Sequence, residues 1–251
     1  MQKQLLRRQN RVNYVNKLNN ILHTVKTMLA AILFDLDGTI ANTDPIHYQA
    51  WRKMLLDYGL EIDEHFYQTK ISGKTNAEII KDILPQLSPK AGITFAEDKE
   101  AMFRQQAQDI QPLPGFTELL AWTEAHQLKR ALVTNAPKLN AYFMLEVLGL
   151  KEAFDIVVLG EDCIAGKPNP APYQAALKKL EITAENAIAL EDSPSGIRSA
   201  VGAGIRTIGI ASTHNPDVLR EKGAFMVIPD FTDLQLWTLL NSQMETELVN
   251  S

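Results

Sequence analysis

The segment Ala31-Ile32-Leu33-Phe34-Asp35-Leu36-Asp37-Gly38-Thr39 joins a short apolar run to two carboxylates spaced i, i+2, with a glycine and a hydroxyl directly after them. Residues two apart on an extended segment point the same way, so Asp35 and Asp37 can face one pocket at the C-terminal end of a strand. Gly38 permits the sharp turn that must follow. In open α/β sheets, ligands bind outside the carboxyl ends of the strands. Read alone, the segment is equally a strand that ends in a solvated acidic turn, so the decision falls to the rest of the chain.

Outward from this segment, residues 29–34 read as a buried strand, and Ala41 to Pro45 as a polar connector. From Ile46 to about Asp109 the texture is amphipathic and helical, with no convincing strand. His47, Trp51, Leu55 and Leu56 share a helical face that Gly59 ends; Asn76–Leu84 is a second helix stopped by Pro85, and Phe95–Asp109 a third. Gln111-Pro112-Leu113-Pro114-Gly115 is a stiff hinge. Strand and helix then alternate. Helices are predicted at Phe116–His126, Leu139–Leu148, Pro172–Leu180, Pro194–Ala203 and Leu234–Leu240. Strands are predicted at Arg130–Thr134, Ile156–Leu159, Ala187–Leu190, Thr207–Ile210 and Phe225–Ile228. Such alternation predicts an α/β fold, a Rossmann-like, doubly wound parallel sheet with helices on both faces. The helical stretch becomes an inserted α-helical cap over the sheet's C-terminal edge. The expected division is a basic extension at 1–27, a core at 28–44 and 112–251, and a cap at 45–111. No internal repeat or low-complexity tract interrupts this plan.

Composition narrows the classes. The 251 residues are 45% hydrophobic and 22% charged, with a net charge of −5, which suits a globular chain and gives no global sign of a nucleic-acid partner. Cys163 is the only cysteine, so an intrachain disulfide and a Cys-rich zinc site are excluded; a reducing, cytoplasmic setting is expected. No apolar run has the length of a membrane span. Six of the 25 basic residues (Lys3, Arg7, Arg8, Arg11, Lys17, Lys26) fall before Asp35, the first acid. Apolar residues from Leu5 to Val25 recur at helical spacing there. A targeting segment, a surface helix for anionic partners and an extension that the core does not need all fit. The absence of serine weakens the first, and the strand that starts after Met28 favours the last.

Four strand ends carry polar groups. The first offers Asp35 and Asp37; the next ends in Thr134 and Asn135 just before a helix. Then come Gly166-Lys167-Pro168, a lysine fixed between a glycine and a proline, and Glu191-Asp192-Ser193-Pro194, two acids at a helix start. Singly, Thr134 reads as a helix cap, Lys167 as a surface lysine, and Glu191 with Asp192 as a capping pair. Together at one sheet edge they form a site. Converging carboxylates repel, so a cation must be present or their pKa values must rise. Oxygen ligands without His or Cys favour magnesium. The Thr134 hydroxyl, the amides around Asn135 and the Lys167 ammonium make a phosphate cradle. Asp35 then serves as a nucleophile that forms an aspartyl-phosphate, and Asp37 as the acid and base of phosphoryl transfer.

The set Asp35-x-Asp37-Gly38-Thr39, Thr134-Asn135, Lys167-Pro168 and Glu191-Asp192, in this order over residues 29 to about 240, resembles the haloacid dehalogenase superfamily. It looks like the branch with a small helical cap between the first two motifs. The resemblance implies Asp35 as nucleophile, Asp37 as general acid/base, Thr134 and Lys167 at the phosphate, and Asp35, the Asp37 carbonyl, Glu191 and Asp192 around magnesium. Gly196 stands where that branch's fourth motif adds a further acid, which leaves Glu191 to supply the ligand. Asp37 argues against dehalogenases and phosphonate hydrolases, which lack that acid.

Two activities then compete, a sugar-phosphate phosphatase and a β-phosphoglucomutase. Mutases place a serine and a lysine after the second motif's hydroxyl, and an arginine on a cap loop. Here those places read Ala136 and Pro137, and the cap loop Ser72-Gly73-Lys74-Thr75-Asn76 carries a lysine, which binds phosphate as a point charge without the bidentate fork. Thr39 is the phosphatase-like choice. His47 and Trp51 match a His-x-x-x-Trp pattern that both groups share, and His47 reads equally as a packed hinge residue. The run Val133 to Ala141 with Thr213-His214-Asn215-Pro216 resembles small sugar-phosphate phosphatases of plants and bacteria. The expectation is a magnesium-dependent, monomeric phosphatase of a small phosphorylated sugar or polyol, with selectivity from His47, Ser72, Lys74 and Asn76. A non-catalytic regulator that keeps the fold is the remaining alternative.

Overall fold

The computed structural model describes residues 29–244; the expected helix within residues 1–27 lies outside them. β1 (Ala31–Phe34) sits near the middle of a six-stranded sheet with β2 (Lys129–Thr134), β3 (Ile156–Leu159), β4 (Ala187–Glu191), β5 (Arg206–Ile210) and β6 (Met226–Ile228). The order is β3-β2-β1-β4-β5-β6, and every pairing is parallel. The path reverses between β1 and β4, which opens a crevice at their carboxyl ends. Register brings those ends level: Phe34 lies opposite Leu132 on one side and Leu190 on the other.

Both faces of the sheet are covered, as its continuous apolar strands require. Ile32, Phe34, Leu132, Ile188 and Leu190 pack against α5 (Phe116–Ala125), α6 (Lys138–Val147) and α10 (Leu234–Met244). The alternate residues Ala31, Leu33, Ala131, Val133 and Ala189, smaller apart from Leu33, pack against α7 (Ala171–Leu180) and α8 (Pro194–Gly202). Strand alternation therefore sorts bulk between the two faces. A last helix, α9 (Pro216–Glu221), follows β5.

Between β1 and α5 lies the cap, entirely helical as expected. It comprises α1 (Asp44–Leu56), the single turn α2 (Glu64–Phe66) running into a π-helical turn Tyr67–Ile71, α3 (Asn76–Ile83) and α4 (Pro89–Gln106). Trp51, Leu55, Ile62, Ile79, Ile80, Leu84 and Phe95 give it a core of its own. Phe103 and Ala107, at the end of α4, join the main core instead and tie cap to sheet. α3 starts where Thr75 and Glu78 make a reciprocal capping box.

Three elements differ from the sequence reading. α4 begins at Pro89, six residues before the expected Phe95, because Ser88 caps it through the Ala91 amide and Pro89 occupies its first turn. The turns at 64–71 carry no clear periodicity and are helical through tertiary contacts: Tyr67 and Ile71 are buried in the cap core. α9 is set by Asn215, whose side chain accepts from the Asp217 amide, with proline following it.

Candidate active site

The carboxyl ends of β1, β2 and β4 and the loop before α7 bring the predicted groups together. Asp35 extends the ladder, its amide donating to Leu190 O at 3.1 Å, and its side chain is buried. Lys167 Nζ donates to Asp35 Oδ1 (2.6 Å) and to Val133 O (2.7 Å), and pairs with Glu191 Oε1 (2.6 Å). An ammonium has three donors, so Lys167 is fully engaged as a brace between the two carboxylates. Burial disfavours its charge, yet Asp35 and Glu191 outweigh burial and raise its pKa.

Thr134 is buried, and its Oγ1 accepts from the Ala136 amide at 2.9 Å. It does not cap α6, whose N-cap is Pro137, and its proton remains for a ligand. Asn135 is turned to another task. Its Oδ1 accepts from Lys167 N and its Nδ2 donates to Lys167 O, both at 3.0 Å, so it fixes the peptide of the lysine. Gly160 and Gly166 leave the room: a Cβ on either would lie 2.3 or 2.8 Å from Asn135 Oδ1.

Glu191 and Asp192 are not caps. Ser193 caps α8 through the Gly196 amide at 3.0 Å, and the two acids precede it. Asp35, Glu191 and Asp192 each bring a carboxylate oxygen within 4.8 Å of the others. Glu191 Oε1 accepts from Tyr173 Oη at 2.6 Å, while its Oε2 is buried without a partner. Thr39 Oγ1 (3.3 Å) and Thr213 Oγ1 donate to Asp192. Burial first, then the neighbouring carboxylates, raise the pKa of Asp192; burial also raises that of Glu191, against the pull of Lys167. This is the penalty foreseen for converging acids. An all-oxygen set with one orphaned oxygen fits a hard divalent cation. Asp37 is not among these carboxylates, so its expected ligand is the backbone carbonyl alone.

Asp37 turns towards the cap. Desolvation in the cleft, then the Asp35 charge, push its pKa up to about 7, against a hydrogen bond from Thr43. A carboxyl titrating near neutrality can give and take a proton within one cycle. His47 Nε2 stands 4.0 Å from Asp37 Oδ1. Burial, then the Lys99 charge, lower the His47 pKa to about 3, so the ring is neutral and stacks on Phe103 at 4.1 Å. Lys99 Nζ lies 3.3 Å from His47 Nδ1. Because ammonium only donates, Nδ1 accepts and the ring proton sits on Nε2, facing Asp37.

Of the other cap residues, Ser72 Oγ donates to Asp44 Oδ2 (3.4 Å), which also accepts from Gln68 Nε2 (3.5 Å), and Asn76 Nδ2 donates to Glu100 Oε1 (2.6 Å). Lys74 pairs instead with Asp82 at 3.2 Å on the cap's exposed side. The structure thus brings His47 and Asn76 to the seam and leaves Lys74 with a partner of its own. The sequence reading missed Lys99 and Glu100. Asp98-Lys99-Glu100 looks like a solvated helix face, yet Lys99 and Glu100 are buried between cap and core.

With the fold and the four motifs placed, residues 32–210 match the haloacid dehalogenase-like hydrolase family, and the chain belongs to it. It is a hydrolase of that family. It is 30% identical over 207 residues to the phosphorylated carbohydrates phosphatase of Thermotoga maritima, covering 80% of this chain and 94% of that one. The solved β-phosphoglucomutase of Clostridium difficile is similar at TM-score 0.75 and 27% identity, over 88% of this chain and 100% of that one. CbbY of Rhodobacter sphaeroides, solved with xylulose 1,5-bisphosphate, is similar at TM-score 0.72 and 28% identity, over 82% and 96%. Among the described residues, no helix is long and apolar enough to cross a membrane.

Proposed function

We propose that the protein is a magnesium-dependent phosphatase that hydrolyses a small sugar or polyol phosphate through an aspartyl-phosphate on Asp35. The observation that carries this reading is the pair of acids at the end of β1, with Asp35 braced by Lys167 at 2.6 Å and Asp37 turned to the opposite, cap side. A carboxylate oxygen of Asp35 bonds to phosphorus as the ester P–O bond breaks, and the departing alkoxide takes the Asp37 proton. Asp37 then takes a proton from the water that attacks the aspartyl-phosphate, which frees inorganic phosphate and restores both acids. Thr134 and the amides beyond it hold the phosphoryl oxygens while Lys167 offsets their charge. Asp35, Glu191, Asp192 and the Asp37 carbonyl would hold magnesium, which supplies Lewis-acid charge neutralisation at the phosphoryl group. A small phosphorylated metabolite is the substrate, and the likeness to a carbohydrate phosphatase supports a sugar.

The likeness to a solved β-phosphoglucomutase keeps the mutase as a second reading. Ala136 and Pro137 beside Thr134 offer no side-chain donor to a second phosphate, which favours hydrolysis. Incubating the purified protein with an aryl phosphate tests the class: phosphate is released with magnesium, and release stops with a chelator. Release that persists in excess chelator contradicts the metal; no release in magnesium points to a non-catalytic protein.

Gly196 gives the metal assignment its own test. A Cβ there would fall 1.8 Å from Glu191 Oε2, so Gly196→Ala must displace that carboxylate. Disturbing what orients a ligand costs roughly 10–100-fold in metal affinity, and the magnesium needed for half-maximal activity should rise on that scale. An unshifted magnesium titration would take Glu191 out of the site.

A further inference from the structure

The seam between cap and core holds an anion that the hydrolysis chemistry leaves without a role. Glu100 projects from α4, 7% exposed, and is fixed from both sides. Its Oε1 takes Asn76 Nδ2 (2.6 Å) and Lys99 Nζ (2.5 Å) from the cap; its Oε2 takes Asn140 Nδ2 (2.5 Å) from α6 of the core. Asn140 is itself held by Arg104 Nη1 at 2.6 Å. Burial opposes ionisation of Glu100, but the Lys99 charge, with the hydrogen bonds from Asn76 and Lys99, outweighs it and lowers its pKa, so it is charged at neutral pH. A carboxylate offers about four acceptor positions. Two on Oε1 and one on Oε2 are filled, and the remaining one lies on Oε2.

Place matters as much as charge. Asp37 protonates the ester oxygen that departs with the alcohol, so the alcohol portion lies on the cap side of Asp37. A short chain of contacts joins the two acids: His47 Nε2 stands 4.0 Å from Asp37 Oδ1, and Lys99 Nζ stands 3.3 Å from His47 Nδ1 and 2.5 Å from Glu100 Oε1. A hydroxyl there meets a free acceptor, whereas a second phosphate meets a fixed negative charge. The three groups that contact the carboxylate, Asn76, Lys99 and Asn140, all donate to it, and the Arg104 guanidinium stands behind Asn140, so neutralising Glu100 turns the same seam into an anion-receptive one. The fold does not itself bar a bisphosphate, since CbbY was solved with one.

We propose that Glu100 is a specificity-determining residue: its carboxylate accepts a hydrogen bond from a hydroxyl of the substrate's alcohol portion and rejects sugar esters that carry a second phosphate there. This rests on the reading of the protein as a sugar-phosphate phosphatase. The test compares kcat/KM for glucose 6-phosphate with glucose 1,6-bisphosphate, and fructose 6-phosphate with fructose 1,6-bisphosphate. Each value is divided by that for p-nitrophenyl phosphate, so that a general loss of activity cancels. The wild type prefers the monophosphates by about tenfold or more, because the fixed carboxylate faces the second phosphate as a like charge. In Glu100→Gln that preference shrinks by about the same factor. Glu100→Asp, shorter by a methylene, keeps the preference while its KM for monophosphates rises relative to the aryl ester.

A wild type that hydrolyses bisphosphates as well as monophosphates overturns the proposal. So does an unchanged preference in Glu100→Gln, or, if that variant does not fold, a Glu100→Asp enzyme with neither value altered. A wild type that hydrolyses the aryl ester but no sugar phosphate overturns the substrate reading instead, which separates the two failures.

Discussion

Asp35→Asn is expected to abolish phosphate release while leaving the fold in place. The amide is nearly isosteric with the carboxylate, and Lys167 keeps Val133 O and Glu191 as partners. The sheet ladder through the Asp35 amide is untouched. What disappears is the oxygen that attacks phosphorus, and removing a covalent nucleophile costs on the order of 10⁴-fold or more in kcat. The check is steady-state phosphate release beside a thermal melt. Turnover within tenfold of wild type, at the same magnesium dependence, removes Asp35 from the nucleophile's role.

Lys167→Met is expected to damage both stability and catalysis. Its ammonium is the cation that offsets Asp35 and Glu191 in a buried site, and removing one partner of such a pair strands the other charges at about 3–5 kcal/mol. For a chain of this size that lowers the melting temperature by roughly 10 °C. In catalysis the loss of one electrostatic partner at the phosphoryl group costs about 10²–10³-fold in kcat. Magnesium should return part of the lost stability, because it supplies positive charge to the same carboxylates. A variant that melts with the wild type, with or without magnesium, contradicts the account of Lys167 as their counterion.

The strands were legible because each is a short apolar run closed by polar groups, and a parallel buried sheet leaves that trace in sequence. Asp35, Asp37, Thr134, Glu191 and Asp192 were legible for the same reason, since each stands where such a run stops; Lys167, in the loop before α7, was legible from the glycine and proline that flank it. The seam was not. Lys99 and Glu100 follow Asp98 on a charged stretch, and only the packing of α4 against α1 and α6 shows that two of the three are buried. Asn135 stands beside Thr134 in the expected phosphate cradle, but its side chain makes two hydrogen bonds to the Lys167 peptide, 32 residues on in sequence, which no local pattern encodes. The early start of α4 shows the opposite case: Ser88-Pro89 is a local signal of a helix start that lay in the sequence and went unused.

Conversion of β-glucose 1-phosphate, followed with magnesium in the presence and absence of a sugar bisphosphate, tests the central claim most directly. The account predicts that sugar monophosphates release inorganic phosphate at a rate that the bisphosphate does not raise, and that no glucose 6-phosphate accumulates. Accumulation of glucose 6-phosphate, primed by the bisphosphate and without release of phosphate, would contradict it in favour of a mutase.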